Sequence, residues 1–343
     1  MFGIVSFLVV FISLSLLIIL HEAGHFIAAK LAGIFVEEFG FGLPPRITGK
    51  HWGETLISLN WLPFGGFVRV YGEQHAEENA AVPIDRSFSH KPFLVRIGVI
   101  AAGVAMNFLL GWFLLSAVFM IGIPKTLLVD QVADNSVAAA AGIHADDQIL
   151  GYATVADLTS FLDAHVGEPV ELQILRDGSK INITADLRSS YAPGEGKLGV
   201  YLEEAGVEPT GFWRGITEGL SQAAQISAAI GSGFLMLIGR LLTGKSVLDL
   251  FVGPVGVVST AMQTTKLGIA SFLQLMALIS LNLAVLNILP LPALDGGKLL
   301  FLCIEKISGR KNEYLEGMVN AIGFLILIAL ALIITGHDIL KLL

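Results

Sequence analysis

Two histidines four residues apart, with a glutamate beside the first, form the most chemically suggestive group in this chain: His21-Glu22-Ala23-Gly24-His25. On a helix, positions i and i+4 share a face, so both imidazoles can grip one metal ion while Glu22 stands ready to take a proton from water. An exposed ion-pairing helix can carry the same pattern. Here, however, it follows twenty residues without a charge. Phe2 to Leu20 would span about 28 Å at 1.5 Å per residue, close to the hydrocarbon thickness of a bilayer. Ionisable residues at such a depth are costly unless they have a partner or a role. The combination points to metal-dependent peptide hydrolysis inside a membrane. No basic segment precedes the apolar run and no small-residue cleavage site follows it, so the run is expected to be retained rather than removed as a leader.

Two imidazoles leave a tetrahedral zinc short of protein donors. Cys303 is the single cysteine, which excludes an internal disulfide and a cysteine cluster, so the missing ligand should offer nitrogen or oxygen. Asn287-Ile288-Leu289-Pro290-Leu291-Pro292-Ala293-Leu294-Asp295-Gly296-Gly297 supplies a candidate in Asp295, where two prolines break a helix and let a carboxylate turn inward. Asp-Gly-Gly could instead form a turn or cap the next helix. Matched depth with the histidines favours the ligand reading.

The elements that must position these residues are mostly apolar. Apolar residues make up 54% of the 343 and charged residues 15%, and the mean hydropathy is +0.74, a composition far from that of a soluble domain. A net charge of −8 gives no support to nucleic-acid binding. Stretches able to cross a bilayer begin at Met1 and run on past Leu20, and extend from Ile97 to Ile123, Leu267 to Leu294 and Met318 to Gly336, predicting four transmembrane helices. Arg46, Lys50, Arg69, Arg86, Lys91 and Arg96 lie between the first two, and Lys298, Lys306, Arg310 and Lys311 between the last two. That bias puts both loops in the cytoplasm, and both termini and the long segment from Lys125 to Lys266 outside. A weaker apolar stretch, Gly219 to Gly239, is expected not to cross, since a crossing would leave Asp295 on the wrong face. Phe212 to Leu242 is read as a helix on or against the outer membrane surface.

Thr55 to Tyr71 reads as two strands around a Pro/Gly turn. One edge of such a hairpin could pair with an unwound substrate strand, which makes Ser58, Asn60, Gly65 and Gly66 candidate substrate-binding residues; a hairpin that only covers the site is the plainer alternative. Val170–Leu175 and Ile181–Ala185, separated by Arg176-Asp177-Gly178, read as a second hairpin. His51, His75, His90, His144, His165 and His337 lack ligand spacing and are read as solvated, and Cys303 as a small buried residue.

These residues resemble the site-2 protease family, and within it the bacterial metalloproteases of regulated intramembrane proteolysis that carry an extracytoplasmic PDZ domain. His-Glu-Ala-Gly-His is similar to the family's catalytic helix, and Asn287 to Gly297 to its Asn-x-x-Pro-x-Pro-x-x-Asp-Gly-Gly signature. Phe39-Gly40-Phe41-Gly42, Gly65-Gly66-Phe67-Val68-Arg69 and Gly253-Pro254-Val255-Gly256 look like its loop elements. Ala102-Gly103-Val104-Ala105-Met106-Asn107-Phe108 resembles its Gly-Pro-x-x-Asn-Phe pattern, with Val104 in place of Pro. Ser136 to Ile143 and Asp146 to Leu150 resemble a PDZ helix and strand, with Asp146 in place of Gly and no Asn-Gly turn after Leu150.

The resemblance implies a polytopic α-helical membrane protein with four transmembrane helices, a membrane-associated β-hairpin and one PDZ-like α/β domain. It implies first two spans with the histidine motif and β-loop over 1–123, the PDZ-like domain over 124–206, a membrane-associated helical segment over 207–266 and the last two spans over 267–343. It further implies that His21, His25 and Asp295 bind Zn2+, that Glu22 is the general base, and that Asn287 contacts substrate backbone or the developing oxyanion. An interhelical hydrogen bond is the other reading of Asn287. The implied location is the bacterial inner membrane. The implied partners are the lipid bilayer, single-span substrates such as anti-sigma factors and remnant signal peptides, and a peptide or upstream protease product at the PDZ-like domain. A catalytically silent PDZ-containing membrane adaptor is the alternative from another class. A transporter is a third, disfavoured because no inverted repeat is apparent.

Overall fold

A computed structural model of the chain describes residues 2–73, 82–176, 178–191, 196–244, 253–266, 268–310 and 312–342. His75, Asp177 and Lys311, singled out above, lie outside them. Two compact units are present. One comprises Met1–Leu115, Leu220–Met262 and Gln274–Leu343, and the other Ser116–Gly219 and Gln263–Leu273.

The first unit begins with α1 (Phe2–Leu31). Gly33, at φ 67°, ends this helix by letting Ile34 N return to Ala29 O at 2.9 Å. The chain then forms β1 (Val36–Trp52) and β2 (Thr55–Val70), joined through Gly53 at φ 61°. This corrects the hairpin expected within Thr55–Tyr71. The reversal lies at Gly53-Glu54, and Gly65-Gly66 is part of one long, irregular strand. β1 was hidden by its own glycines and prolines, which read as loop. Phe39 pairs with Val68 on one side and Ile57 on the other, and Gly40 likewise with Phe67 and Ser58, so the middle of β1 is enclosed by two segments of β2. After α2 (Phe93–Ile121) the chain leaves this unit and returns within α5 (Phe212–Leu242), followed by α6 (Pro254–Lys266), α7 (Ile269–Ile288), α8 (Asp295–Ser308) and α9 (Glu313–Leu342). Asp338 near the end of α9 accepts hydrogen bonds from the backbone N–H of Gly253 and Gly256 at 3.4 and 2.8 Å, satisfying donors at the start of α6.

Among the described residues five helices are long and apolar enough to cross a membrane, one more than the four expected to do so: Ile4–Leu31, Phe93–Ile121, Phe212–Leu242, Ile269–Ile288 and Glu313–Leu340. The additional one is α5. Its early part packs along the end of α2. A Cβ on Gly215 would meet Met120 Cγ at 2.8 Å, and one on Gly219 would meet Ser116 N at 2.7 Å. Further on, Ala223 is buried against Leu115, Ala277 and Leu281. Small residues permit this close approach. Cys303 on α8 is exposed, not buried as expected, beside the exposed Leu300, Ile304 and Ile307.

The second unit holds a five-stranded sheet in the order β6-β5-β4-β3-β7. Its elements in chain order are β3 (Ile123–Val132), α3 (Val137–Ala141), β4 (Gln148–Ile149), α4 (Val155–Ala164), β5 (Pro169–Arg176), β6 (Ser179–Asp186) and β7 (Val200–Val207). The hairpin and the Ser136-capped helix fall where the sequence put them: Val170 pairs with Ala185, and Ser136 Oγ accepts from Ala139 N at 3.1 Å. Asp146 takes φ 69°, the left-handed conformation that the glycine of the pattern would adopt readily. Leu127, Val129, Ile149, Leu158, Leu172 and Ile174 form the core. Burying each such side chain contributes about 1.5–3 kcal/mol.

Candidate metal centre and active site

The helical spacing of α1 delivers what it promises. His21 and His25 lie one turn apart with their Nε2 atoms 3.3 Å from each other and their ring planes at 87°. Asp295 Oδ2 is 3.1 Å from His21 Nε2 and 3.2 Å from His25 Nε2. Among the described residues this is the one group of three or more His, Cys, Asp or Glu side chains whose ligand atoms converge, all within 4.8 Å of one another. Asp295 Oδ2 is buried and has no ordinary hydrogen-bond partner there. A tetrahedral ion at about 2.05 Å from each ligand holds its ligand atoms about 3.3 Å apart. The three observed separations therefore fit a cation the size of zinc, and the nitrogen and oxygen donors fit its preferences.

Asp295 reaches this point because the helix that approaches it stops early. α7 ends at Ile288, Leu289-Pro290-Leu291-Pro292 cannot continue it, and Ala293 turns through φ 70°. Asp295 then opens α8, whose N-cap, Leu294, makes no side-chain capping bond. The carboxylate faces the imidazoles, as the ligand reading expects and the capping alternative does not. Gly296 and Gly297 make the fold-back possible. A Cβ on Gly296 would stand 2.5 Å from Ile288 O, and one on Gly297 would collide with Leu291 O.

Several residues that sequence reasoning left unassigned surround the group. His25 Nδ1 lies 2.9 Å from Val99 O, an acceptor only, so Nδ1 carries the proton and Nε2 presents a lone pair. Asn107 Nδ2 lies 3.2 Å from His21 Nδ1, and Asn107 is fully buried. Gly103 leaves room for both rings: a Cβ there would collide with His25 and come within 2.8 Å of His21 Cε1. Gly24 is the reciprocal notch, since a Cβ there would collide with Ala102 O and stand 2.9 Å from Met106 Cβ. The stretch Ala102–Phe108 that resembles a family pattern held the signal for Gly103 and Asn107, but no spacing in it revealed the contact.

Glu22 lines two cavities on either side of the group. One, of about 80 Å³, is shared with His25, Val99, Asp295 and Lys298. The other, of about 300 Å³, is shared with His21, Asn287, Asp295 and Lys298. Burial alone would lower the Lys298 ammonium's pKa, but Glu73 at 2.7 Å more than offsets this and holds it above the ordinary lysine range. Asn287 Nδ2 is 3.4 Å from His21 Nε2, a contact between α7 and α1 of the kind the interhelical reading expects. Gly66 also reaches it, for a Cβ there would lie 3.5 Å from Glu22 Cγ. Gly65, at φ 87°, has open space where a side chain would project. Ser58 and Asn60 are buried inside the sheet. Asn60 Nδ2 donates to Phe41 O and Gly42 O at 3.2 Å each and to Ser58 Oγ at 3.3 Å, so these side chains brace β1 and β2.

Comparison with known proteins agrees with this geometry. The family model described as Peptidase family M50 matches residues 9–330. A candidate zinc metalloprotease of Clostridium perfringens (strain 13 / Type A) is 34% identical, with 96% of this chain and 97% of the relative aligned. Zinc metalloprotease RasP of Geobacillus kaustophilus (strain HTA426) is 29% identical, with 99% and 98% aligned. Regulator of sigma-W protease RasP of Bacillus subtilis (strain 168) is 27% identical, with 99% and 98% aligned. With both the histidine-bearing helix and Asp295 inside a match that spans nearly the whole sequence, the chain belongs to Peptidase family M50, the site-2-type metalloproteases.

Proposed function

We propose that this chain is a zinc endopeptidase that hydrolyses peptide bonds within or near the transmembrane segments of single-span membrane proteins. The observation that carries this reading is the convergence of His21, His25 and Asp295 at 3.1–3.3 Å beside Glu22, with the histidines and Glu22 on a helix apolar enough to cross a bilayer and Asp295 just after another. The names of the relatives support zinc as the metal, and the name Regulator of sigma-W protease supports anti-sigma factors as one substrate class. Remnant signal peptides are a second class.

In this reading His21, His25 and Asp295 are the ligands. Zinc, when bound, supplies Lewis acidity that polarises the scissile carbonyl and makes water acidic near neutral pH. Glu22 accepts the water proton and returns it to the leaving amine. Asn287, beside His21 in the larger cavity, donates its amide N–H to substrate backbone or to the developing oxyanion. A peptide bond freed from its helix in lipid needs replacement hydrogen-bond partners, and the β1–β2 sheet, whose Gly66 abuts Glu22, offers backbone groups at the right place.

The topology that suits this chemistry has four crossings in the bacterial inner membrane, with both termini and a PDZ-like domain over 124–206 outside. Ile121 at the end of α2 and Ile269 at the start of α7 line one cavity together, which supports departure and return on the same side. The intervening chain then crosses an even number of times, and α5 does not cross alone. The PDZ-like domain would filter substrates by size or take the product of an upstream protease.

Co-expression with tagged single-span proteins tests the reading. Wild type should yield a fragment that a metal chelator suppresses. Glu22→Gln should lower cleavage by about 10²–10⁴-fold while retaining zinc. A fragment that persists undiminished in Glu22→Gln would favour the adaptor reading instead.

A further inference from the structure

A neutral imidazole has one lone pair, so the proton on one ring nitrogen decides what the other can do. For His25 the matter is closed by the Val99 carbonyl. For His21 the deciding neighbour is Asn107. His21 Nε2 faces Asp295 Oδ2 at 3.1 Å, and Nδ1 faces the Asn107 side-chain amide at 3.2 Å. As drawn, the amide presents Nδ2 to the ring. It would then donate to Nδ1, the ring proton would sit on Nε2 among Asp295 Oδ2, His25 Nε2 and Asn287 Nδ2, and His21 would offer a metal no lone pair. In that orientation Asn107 Oδ1 is buried with no hydrogen-bond partner among the described residues.

Amide oxygen and nitrogen are nearly identical in shape, and their assignment follows from the hydrogen bonds they make. Turning the Asn107 amide by half a revolution exchanges its two ends: the oxygen accepts from the Nδ1–H of His21, the amide N–H groups take the place where the oxygen stood without a partner, and Nε2 is freed for a cation. We infer that Asn107 is the positioning residue that fixes His21 in the Nδ1–H tautomer, through its side-chain oxygen. The inference rests on the proposed ligand set. Asn107 is well placed for such a role. It is fully buried, and its own carbonyl accepts a hydrogen bond from Ser280 Oγ of α7 at 2.8 Å. The residue that orients the first ligand is thereby tied to the helix that leads towards Asp295.

The test is zinc affinity of the purified full-length protein, measured by competition with a chromogenic chelator. Asn107→Leu keeps the volume but accepts no hydrogen bond, and should weaken zinc binding about 10–100-fold. Asn107→Asp can only accept, and should bind zinc as tightly as wild type or more so. Wild-type affinity in Asn107→Leu overturns the inference, as does a loss in Asn107→Asp equal to that in Asn107→Leu. His21→Ala should abolish binding, and if it does not, the ligand set itself fails and the Asn107 assignment with it. Should Asn107→Leu not fold, nitrogen-15 shifts of the imidazoles in wild-type, zinc-free protein at a pH where the ring is neutral give the tautomer directly. Nδ1–H at His21 is the expected form, and Nε2–H overturns the inference.

Discussion

Gly103 contributes no side chain, and the metal centre depends on that. A methyl group there would collide with His25 and crowd His21. Gly103→Ala should therefore displace the rings, with overpacking of about 1–3 kcal/mol. Zinc content and thermal unfolding would show both effects, and full zinc occupancy in Gly103→Ala would contradict the geometry. The candidate ligands were legible because their signal is local: two histidines four positions apart after twenty uncharged residues, and a carboxylate behind two prolines. Gly103 and Asn107 were not legible. Their importance comes from the crossing of α1 over α2, and the register of one helix on another leaves no periodic mark in either sequence.

At the level of elements, the turn between α7 and α8 is the part most easily damaged. Leu289 to Leu294 must fold back far enough for Asp295 to meet two rings on α1, and Gly296 permits this by accepting Ile288 O where a Cβ would be. Gly296→Ala should push the carboxylate off its position. A displacement of about 1 Å costs about 10²-fold in rate, to be read as kcat/KM on a tagged substrate. Pro290 and Pro292 announced this break in advance. The β1–β2 sheet was only half readable, because Thr55–Val70 alternates as a strand should while Val36–Trp52 is crowded with glycine and proline. That Glu38–Phe41 pair on both sides could not be foreseen, since a strand's partners are chosen by distant residues.

For the whole molecule the proposed topology makes a direct prediction. In a Cys303→Ser background, Asp134→Cys should react with a membrane-impermeant thiol reagent in intact cells, whereas Arg310→Cys should react only after permeabilisation; the reverse pattern would invert the orientation. The five-stranded unit carries its own pH dependence. Burial would raise the Asp147 carboxyl, but Arg176 at 2.6 and 2.7 Å and the His144 N–H at 2.8 Å outweigh it and hold the pKa below the usual carboxylate range. A lowered folded-state pKa means that this contribution is complete above the unfolded value of about 3.9 and is lost as pH falls through the lower folded value. Protection factors for amide exchange in β4 and β5, taken relative to the intrinsic rate at each pH, should therefore fall below about pH 4, and Asp147→Asn should be less protected at neutral pH with a flatter acid response. The dovetail of Gly24 and Gly103 has a last consequence. Neither helix can slip along the other without driving a side chain into a carbonyl, so this pair makes a poor door. In the proposed reading a substrate segment would instead meet the α7 side of the larger cavity, formed by Leu283, Asn287, Ala293 and Leu294 just before Asp295. Admission of substrate and grip on the cation then draw on the same few residues, and by linkage each will change the affinity of the other.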